Sequence, residues 1–475
     1  MFPFCYRSLA VSVVRFLKMP GLRERLRAIF TVEPVLFFFM TSTFIFVPAF
    51  QQLVIAKVCN EMYPNKTVCA DSIQIKGDVE IQRQSSYILL AYTGMLSLVS
   101  IPPAMILGSW SDQGGRKLGM VLPSLLALVS SSVFIAMAVV ESASAYWGVA
   151  AALVSGLSGS HVSVFLSCFS YVADVADASS RTRRMALAES MVFVGGTAGF
   201  LLSGFLLTRF GFVATFGVCC AFHVLSVLYV LLWLPSPDRT TQTLLADSQE
   251  EAGSVPLGLS VLTYAGRSFK TMFRERRDGE KHKLLLLMIC TFLNNLIAMG
   301  DQAVLLLYLT YTPREFTTEM YGVFNSARML LFGFALMGLF PLLLRCFGEM
   351  TLAKMSAFLR TVSCVLMAFS TNTWMVFLAA VVGTPSGIPQ AVTRSLSSAI
   401  VDPNEQGAMF SFMASMEALC LLVAAMLFNG LYPLTLTSFP GMVFIMMAGF
   451  AFIILIFIQW ISEMPATQPR LVDQD

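Results

Sequence analysis

Apolar residues form twelve long runs along the chain, and short polar segments separate most of these runs from one another. A run of about 20 mostly apolar residues is what an α-helix needs to cross the hydrocarbon core of a bilayer. The pattern therefore predicts an all-α membrane protein with twelve transmembrane helices. The predicted spans cover residues 34–56, 86–108, 119–140, 147–172, 186–208, 212–234, 284–309, 321–344, 352–370, 374–400, 408–430 and 439–461.

A longer polar segment divides the twelve spans into two sets of six. Residues 235–283 carry mixed charge and few apolar side chains, which is typical of a solvated tether. We therefore predict a cytoplasmic arm, a first six-helix half, a cytoplasmic central loop, a second six-helix half and a cytoplasmic tail. In that order they occupy residues 1–33, 34–234, 235–283, 284–461 and 462–475.

Composition narrows the class of protein. Of the 475 residues, 56% are hydrophobic and 12% are charged, whereas soluble proteins carry about 25% charged residues. These proportions exclude a soluble enzyme, a disordered chain and a small secreted disulfide scaffold. The net charge of +3 gives no indication of nucleic acid binding. The sequence contains no catalytic triad, phosphate-binding loop or zinc motif, so we expect neither enzyme activity nor a cofactor.

Lys and Arg are distributed unevenly between alternate loops. If both termini lie in the cytoplasm, 22 of the 31 basic residues fall in inner segments and six in outer loops. Because cytoplasmic loops are enriched in Lys and Arg, we predict cytoplasmic termini. The plasma membrane is the default location, and a lysosomal or endosomal membrane is the alternative.

The long outer loop predicted by this orientation, residues 57–85, has two features of an extracytoplasmic segment. Asn65 begins the only glycosylation sequon in the sequence, Asn65-Lys66-Thr67. Cys59 and Cys69 lie in the same loop and are predicted to form a local disulfide in an oxidising compartment, with two free thiols as the alternative.

The loop after the second span reads Gly108-Ser-Trp-Ser-Asp112-Gln-Gly-Gly115-Arg116-Lys117. The string resembles the loop 2–3 signature of the major facilitator superfamily, whose members also consist of two six-helix halves. Gly115 permits a tight turn, Asp112 can accept hydrogen bonds at a helix end, and Arg116 holds the loop on the cytoplasmic side. The resemblance implies that Asp112, Gly115 and Arg116 gate the change between inward-facing and outward-facing states.

A narrower resemblance covers most of residues 30–461. Several strings are similar to solute carrier family forty-six, the family of the proton-coupled folate transporter. They are Tyr-Val-Ala-Asp-Val at 171–175, Arg-Met-Ala-Leu-Ala-Glu at 184–189, Asn-Glu-Gln-Gly-Ala at 404–408 and Phe-Asn-Gly-Leu-Tyr at 428–432.

This family resemblance implies roles for single residues. Glu189 and His282 match positions implicated in proton coupling, and Arg394 matches one implicated in substrate binding. The folate transporter has an Asp in its fourth span, where this chain reads Gly-Leu-Ser-Gly-Ser-His over 156–161. At Glu417 the sequence is more similar to a lysosomal paralogue of the family than to the folate transporter.

Ionisable side chains within the predicted spans give a second, independent set of candidates, because a charge inside a membrane is costly and by default functional. We predict that Arg394, Asp301 and Glu417 bind an anionic cargo and that Glu189 carries the coupling proton. The full set is Glu189, Asp301, Arg328, Arg360, Arg394, Glu417, His161 and His223.

Each candidate also has a structural explanation. Glu189 could stabilise a helix N-terminus or pair with Arg184. Arg394 could form an ion pair with Asp301 or Glu417, and Asp301 could instead pair with the Arg of the eighth span.

Pairing is the favoured interpretation for Arg360, with Glu417 as its expected partner. For His161 and His223 a buried structural role is favoured, and for His282 a solvated position is as plausible as a functional one.

Glycines and prolines predict the packing of the fifth span and the shape of the tenth. In the fifth span, Gly195, Gly199 and Gly204 predict close approach of a neighbouring helix. In the tenth span, glycines and prolines predict a bent or broken helix beside a polar cavity. These residues are Gly383, Pro385, Gly387 and Pro389.

Together these features predict a secondary transporter, a symporter driven by the proton gradient, whose cargo is a small organic anion. Folate or a folate-like molecule is the first candidate cargo. The alternatives are a carrier of other polar conjugates, such as peptidoglycan fragments or cyclic dinucleotides, and a solute sensor that does not transport. The expected partners are the anion and the lipid bilayer, and the expected coupling ion is the proton.

Overall fold

The computed structural model describes residues 31–63, 69, 78–114, 116–175, 181–234, 273–274, 280–401 and 406–464. All regular elements within these ranges are helices, so the predicted all-α class is confirmed. The boundaries of the predicted arm, central loop and tail fall largely outside the described residues and stay predictions.

The first set of spans consists of six helices. They are α1 (Glu33–Met62), α2 (Val79–Gly114), α3 (Arg116–Val139), α4 (Trp147–Gly156), α5 (Ser160–Val175) and α6 (Arg181–Leu232).

The second set contains more interruptions. Short π-helical segments, Ala335–Leu339 and Ala425–Asn429, join α8 to α9 and α13 to α14 as continuous spans. The helices are α7 (Glu280–Thr310), α8 (Thr318–Phe334), α9 (Phe340–Leu343), α10 (Glu349–Ala368), α11 (Thr373–Val382), α12 (Ile388–Ile400), α13 (Gln406–Ala424), α14 (Gly430–Thr435) and α15 (Met442–Glu463).

The described helices account for the twelve predicted spans. Ten helices are long and apolar enough to cross a membrane, and the bent pair of α11 and α12 adds an eleventh. One of the ten, Leu187–Leu232 within α6, has 46 residues. At ~1.5 Å per residue it is more than twice the thickness of a hydrocarbon core of about 30 Å. Gly211 breaks it with a φ of 75° and a ψ of −173°, so α6 supplies two spans.

The fourth span differs from the prediction of one continuous helix over 147–172, because its helix is interrupted between α4 and α5. Gly159 and Ser160 adopt left-handed φ values of 74° and 52°. The Ser158 hydroxyl donates to the Ser155 carbonyl and accepts from the Ser160 amide at 3.3 Å. Serine side chains that bond the nearby backbone compete with helical hydrogen bonds, which explains the break.

The tenth span is broken as predicted. Helices α11 and α12 meet at an angle of 45°, and a 3₁₀ turn at Thr384–Gly387 joins them. Pro385 and Pro389 lack the amide protons that a continuous helix would use here.

Glycines allow the close packing that holds the spans together. On α6, a Cβ at Gly199 would lie 2.7 Å from the Phe44 Cβ of α1, which confirms the predicted close approach. The main contacts between the first six spans and the last six are made by α6 with α8 and by α2 with α13.

Candidate functional site

Arg394 and Glu189 form an ion pair between the two sets of spans. Arg394 lies in the second turn of α12, and its Nη1 is 3.6 Å from Oε1 of Glu189 on α6. Their side chains are 44% and 58% exposed. A pair at this distance and exposure contributes little to stability, so a ligand can replace it at low cost.

The break in the tenth span determines where Arg394 lies. Because the chain changes direction at Thr384–Gly387, α12 begins anew at Ile388, and Arg394 in its second turn reaches Glu189 on α6. Neither of the predicted partners of Arg394 in its own half, Asp301 or Glu417, forms an ion pair with it among the described residues; the carboxylate of Glu189 does.

Asp301 is paired with Arg328, which was its structural alternative. The distance between Arg328 Nη1 and Asp301 Oδ2 is 2.6 Å, and the two side chains are 8% and 23% exposed. The neighbouring Gly300 permits close packing, since a Cβ there would lie 2.2 Å from the Phe428 ring. Direct contact of Asp301 with cargo stays a prediction.

The expected pairing of Arg360 with Glu417 is wrong. Arg360 donates to Oδ1 of Asn294 on α7 and to the Ser386 carbonyl at 3.4 Å. Because the broken tenth span leaves carbonyls without helical donors, a guanidinium beside the break satisfies one of them.

Two amides extend this network. Asn294 donates to Gln390 Oε1 at 3.1 Å, and Gln390 donates to Asn295 Oδ1 at 3.2 Å. These amide side chains carry no charge, so a search for ionisable residues within the spans does not find them. The sequence signals that could have found them are an Asn-Asn pair in one apolar span and a Gln directly after a proline in another.

His161 and Glu417 line one cavity from opposite sets of spans. Its walls come from α2, α5, α7 and α13. Neither side chain has a hydrogen-bonding or ion-pair partner among the described residues. His223, by contrast, is buried and within 2.9 Å of the Ser42 hydroxyl, which supports its predicted structural role.

Of the remaining proton-coupling, gating and glycosylation candidates, only His282 has a described side chain. His282 is exposed in the first turn of α7. Asn65, Gly115 and the side chains of Asp112 and Arg116 lie outside the described part of the chain.

A disulfide joins Cys59, in the last turn of α1, to Cys69. Beside it, the Tyr63 hydroxyl donates to Asp78 Oδ2 at 2.7 Å, and this hydrogen bond raises the pKa of Tyr63. Asp78 also caps the first turn of α2 by accepting from the Glu80 amide.

The family model described as Major Facilitator Superfamily matches residues 33–419. The chain belongs to the Major Facilitator Superfamily. It is therefore a multi-pass membrane transporter rather than an enzyme, and the predicted fold of two six-helix halves is confirmed.

Within the superfamily, similar proteins confirm the resemblance to solute carrier family forty-six. The lysosomal proton-coupled steroid conjugate and bile acid symporter SLC46A3 of Gallus gallus is 26% identical over 92% of this chain and 94% of its own. The proton-coupled folate transporter of Rattus norvegicus is 29% identical over 75% of this chain and 74% of its own.

Solved structures of other superfamily members share the fold. The human organic anion transporter MFSD10 (TETRAN) has a TM-score of 0.62 at 16% identity, covering 90% of this chain and 99% of that one. The xylose transporter XylE from E. coli, in an inward open conformation, has a TM-score of 0.60 at 12% identity, covering 92% and 97%.

Proposed function

We propose that this superfamily member is a proton-coupled symporter of an organic anion, with Arg394 as the anion-binding residue and Glu189 as the proton carrier. The observation that carries the proposal is the exposed ion pair between these two residues, which joins the two sets of spans. The names of the two relatives, both proton-coupled transporters of organic anions, support it.

The charges inside the second set of spans favour an anion. Away from helix ends, these spans contain three arginines but only two carboxylates. The carboxylate of Glu189, which pairs with Arg394, belongs to the first set of spans. The three arginines are Arg328, Arg360 and Arg394, and the two carboxylates are Asp301 and Glu417. Loss of the contact with Glu189 therefore leaves a positive charge that an incoming carboxylate or sulfate can neutralise.

The same exchange couples the proton. An anion that binds Arg394 displaces Glu189, whose charge then has no partner in a partly desolvated site. The bound anion then lies beside the Glu189 carboxylate, and repulsion between these like charges favours binding of a proton to Glu189. With the ion pair removed and the proton bound, the contact between α6 and α12 weakens and the two halves can rearrange.

Uptake at acidic and neutral pH tests the proposal. Wild-type chains should accumulate a labelled organic anion faster at acidic pH. Glu189→Gln should transport at a rate that no longer depends on pH, and Arg394→Gln should lose about tenfold or more in kcat/KM. The matched control is Glu319→Gln, an exposed carboxylate in the first turn of α8, which should retain the wild-type pH profile. A wild-type pH profile in Glu189→Gln would refute the proton role.

Two cargo classes have separate support. Folate is the first, through the resemblance to the folate transporter. Steroid conjugates or bile acids are the second, because the match to their symporter extends over more of both chains. Competition between labelled folate and an unlabelled bile acid, each also tested as the labelled species, distinguishes them.

We also infer that both termini are cytoplasmic, from the excess of Lys and Arg in alternate loops. A glycosidase that removes N-linked glycans should then shift the wild-type band on a gel and leave Asn65→Gln unshifted. The plasma membrane is the proposed location. The lysosomal relative makes an internal membrane the alternative, and surface biotinylation separates the two.

A further inference from the structure

A chain of hydrogen bonds runs through the second set of spans and ends at Asn295. Arg360 on α10 donates to Oδ1 of Asn294 on α7. Asn294 Nδ2 donates to Gln390 Oε1 of α12 at 3.1 Å, and Gln390 Nε2 donates to Asn295 Oδ1 at 3.2 Å. Asn294 is 4% exposed, whereas Asn295 is only partly buried. The chain therefore leads from the interior to a side chain that a ligand can reach.

Arg360 fixes the direction of every bond in this chain. A guanidinium has only donors, so Asn294 turns its oxygen towards Arg360 and its amino group towards Gln390. The same constraint passes to Gln390 and then to Asn295, each of which accepts with its oxygen. Asn295 consequently presents its amino group at the end of the chain, and that group has no acceptor among the described residues.

The face of α7 that carries Asn295 is turned towards the first set of spans. Asn295, Met299 and Gln302 follow helical spacing and share this face. Met299 lines a cavity together with Leu96 of α2. The Gln302 carbonyl accepts from the Gln51 amide of α1 at 3.3 Å. The free amino group of Asn295 thus lies between the two sets of spans.

The same interface holds Arg394. Gln390, which fixes the orientation of Asn295, lies four residues before Arg394, so the two share a face of α12 and are ~6 Å apart along its axis. Arg394 reaches across to Glu189 of the first set of spans. Asn295 is also at the midpoint of α7, where a polar group without a partner is costly and by default functional.

We propose that Asn295 and Arg394 together bind an N-acyl amino acid anion, with the Asn295 amino group donating to the acyl oxygen and Arg394 binding the carboxylate. An acyl oxygen only accepts, which matches a side chain that has only donors left. Two atoms separate the acyl group from the carboxylate, so both fit within about one helical turn. Folate and the glycine conjugates of bile acids contain this unit, so the inference deepens the proposed function and rests on it.

A matched pair of bile acids tests the binding of the acyl oxygen. Glycocholate has the amide, and an analogue in which two methylene groups replace the amide keeps the steroid skeleton and the position of the carboxylate. Wild-type kcat/KM should be about tenfold higher for glycocholate, because the analogue leaves the Asn295 amino group without an acceptor. Asn295→Leu should lower kcat/KM for glycocholate about tenfold and leave that for the analogue unchanged, so that the preference is lost.

Two further variants separate binding from a structural role. Asn325→Leu removes a buried amide of α8 that donates to the Tyr321 carbonyl within its own helix, so it should change both cargos by the same factor. Asn295→Ser has a smaller polar side chain that is too short to reach the same oxygen, so it should lose the preference as Asn295→Leu does. The ratio between two cargos in one variant does not depend on the amount of protein in the membrane, so poor folding cannot produce the effect.

The outcomes distinguish this inference from the proposed function. If wild type transports both bile acids equally while Glu189→Gln still loses pH dependence, the role of Asn295 is refuted and the symporter stands. A preference that persists in Asn295→Leu refutes it as well. If neither bile acid is transported, the same replacement of the amide is made in folate, and equal kcat/KM for folate and its analogue overturns the inference. If no organic anion is transported, both proposals fail together.

Discussion

Gly322 of α8 lies directly against Gly204 of α6. A Cβ on Gly322 would be 2.7 Å from the Phe200 carbonyl oxygen and 3.0 Å from the Gly204 Cα. One turn on, the Ser326 hydroxyl donates to the Thr197 carbonyl at 2.8 Å. The two sets of spans therefore meet at backbone contact near the start of α8 and about four helical turns along α6 from Glu189.

We predict that Gly322→Ala separates α6 from α8, because the added methyl group meets backbone atoms that cannot rotate away. Overpacking of this kind costs about 1–3 kcal/mol. The cost applies to the state in which the helices touch, so the variant should favour the opposite state and transport about tenfold more slowly.

Labelling of Gln52→Cys with a membrane-impermeant thiol reagent measures the separation, because Gln52 accepts a hydrogen bond from Thr318 beside the contact. Labelling should be faster when Gly322→Ala is present. The control is Gly217→Ala, where nothing lies within 4 Å of the added methyl group. Equal labelling in both backgrounds would show that this contact does not change during transport.

Much of the fold followed from the sequence, because a bilayer imposes a single length and polarity on every span. The glycines of α6 and the break before Arg394 were also predictable, since small residues and prolines have local backbone effects. The break before His161 was not predicted. It depends on one serine side chain, that of Ser158, which forms two hydrogen bonds to the backbone within a run whose small residues otherwise predict tight helix packing.

The partners of charged residues were harder to predict than the spans in which those residues lie. Arg328 and Asp301 could be matched because they lie on consecutive spans joined by a short loop. Arg360 could not, because its acceptors are a neutral amide and a backbone carbonyl that exist only once the tenth span has broken. Partners can be chosen from sequence by pairing opposite charges, and this rule cannot identify a neutral acceptor.

The pair of Asp301 and Arg328 should behave as a structural unit. Asp301→Asn leaves a buried guanidinium without its counter-charge, and removal of one partner of a buried pair costs about 3–5 kcal/mol. The double variant Asp301→Asn with Arg328→Gln removes both charges and should recover most of that loss. Thermal unfolding of the purified protein in detergent gives the three values. Additive losses in the double variant would contradict the pairing.

Arg360 should act on transport through the start of α12. Its hydrogen bonds to Asn294 and to the Ser386 carbonyl fix the break one turn before Gln390, and Arg394 follows one turn later. Arg360→Gln should therefore weaken anion binding by about tenfold in KM with a smaller change in kcat, because the anion-binding side chain is misplaced rather than removed.

A matched substitution on the same helix distinguishes the hydrogen bonds of Arg360 from its positive charge. Lys354→Gln removes a cation from the same helix, but its side chain bonds Gln459 away from the break. It should leave KM unchanged. If Arg360→Gln lowers kcat without raising KM, the positioning role is refuted and Arg360 acts in the conformational change itself.

The disulfide between Cys59 and Cys69 should stabilise the protein through the short loop it closes. A sequence separation of ten residues corresponds to a gain of up to about 3 kcal/mol in the chain-entropy account. Cys59→Ser, Cys69→Ser and the double variant should all lower Tm by the same amount, because each removes the same bond. Reductant should lower the Tm of wild type to that value and leave the variants unchanged. Cys346→Ser, which replaces an exposed free thiol, is the control and should match wild type in both conditions. A double variant that is less stable than either single one would show that the two side chains contribute separately, through packing rather than through their bond.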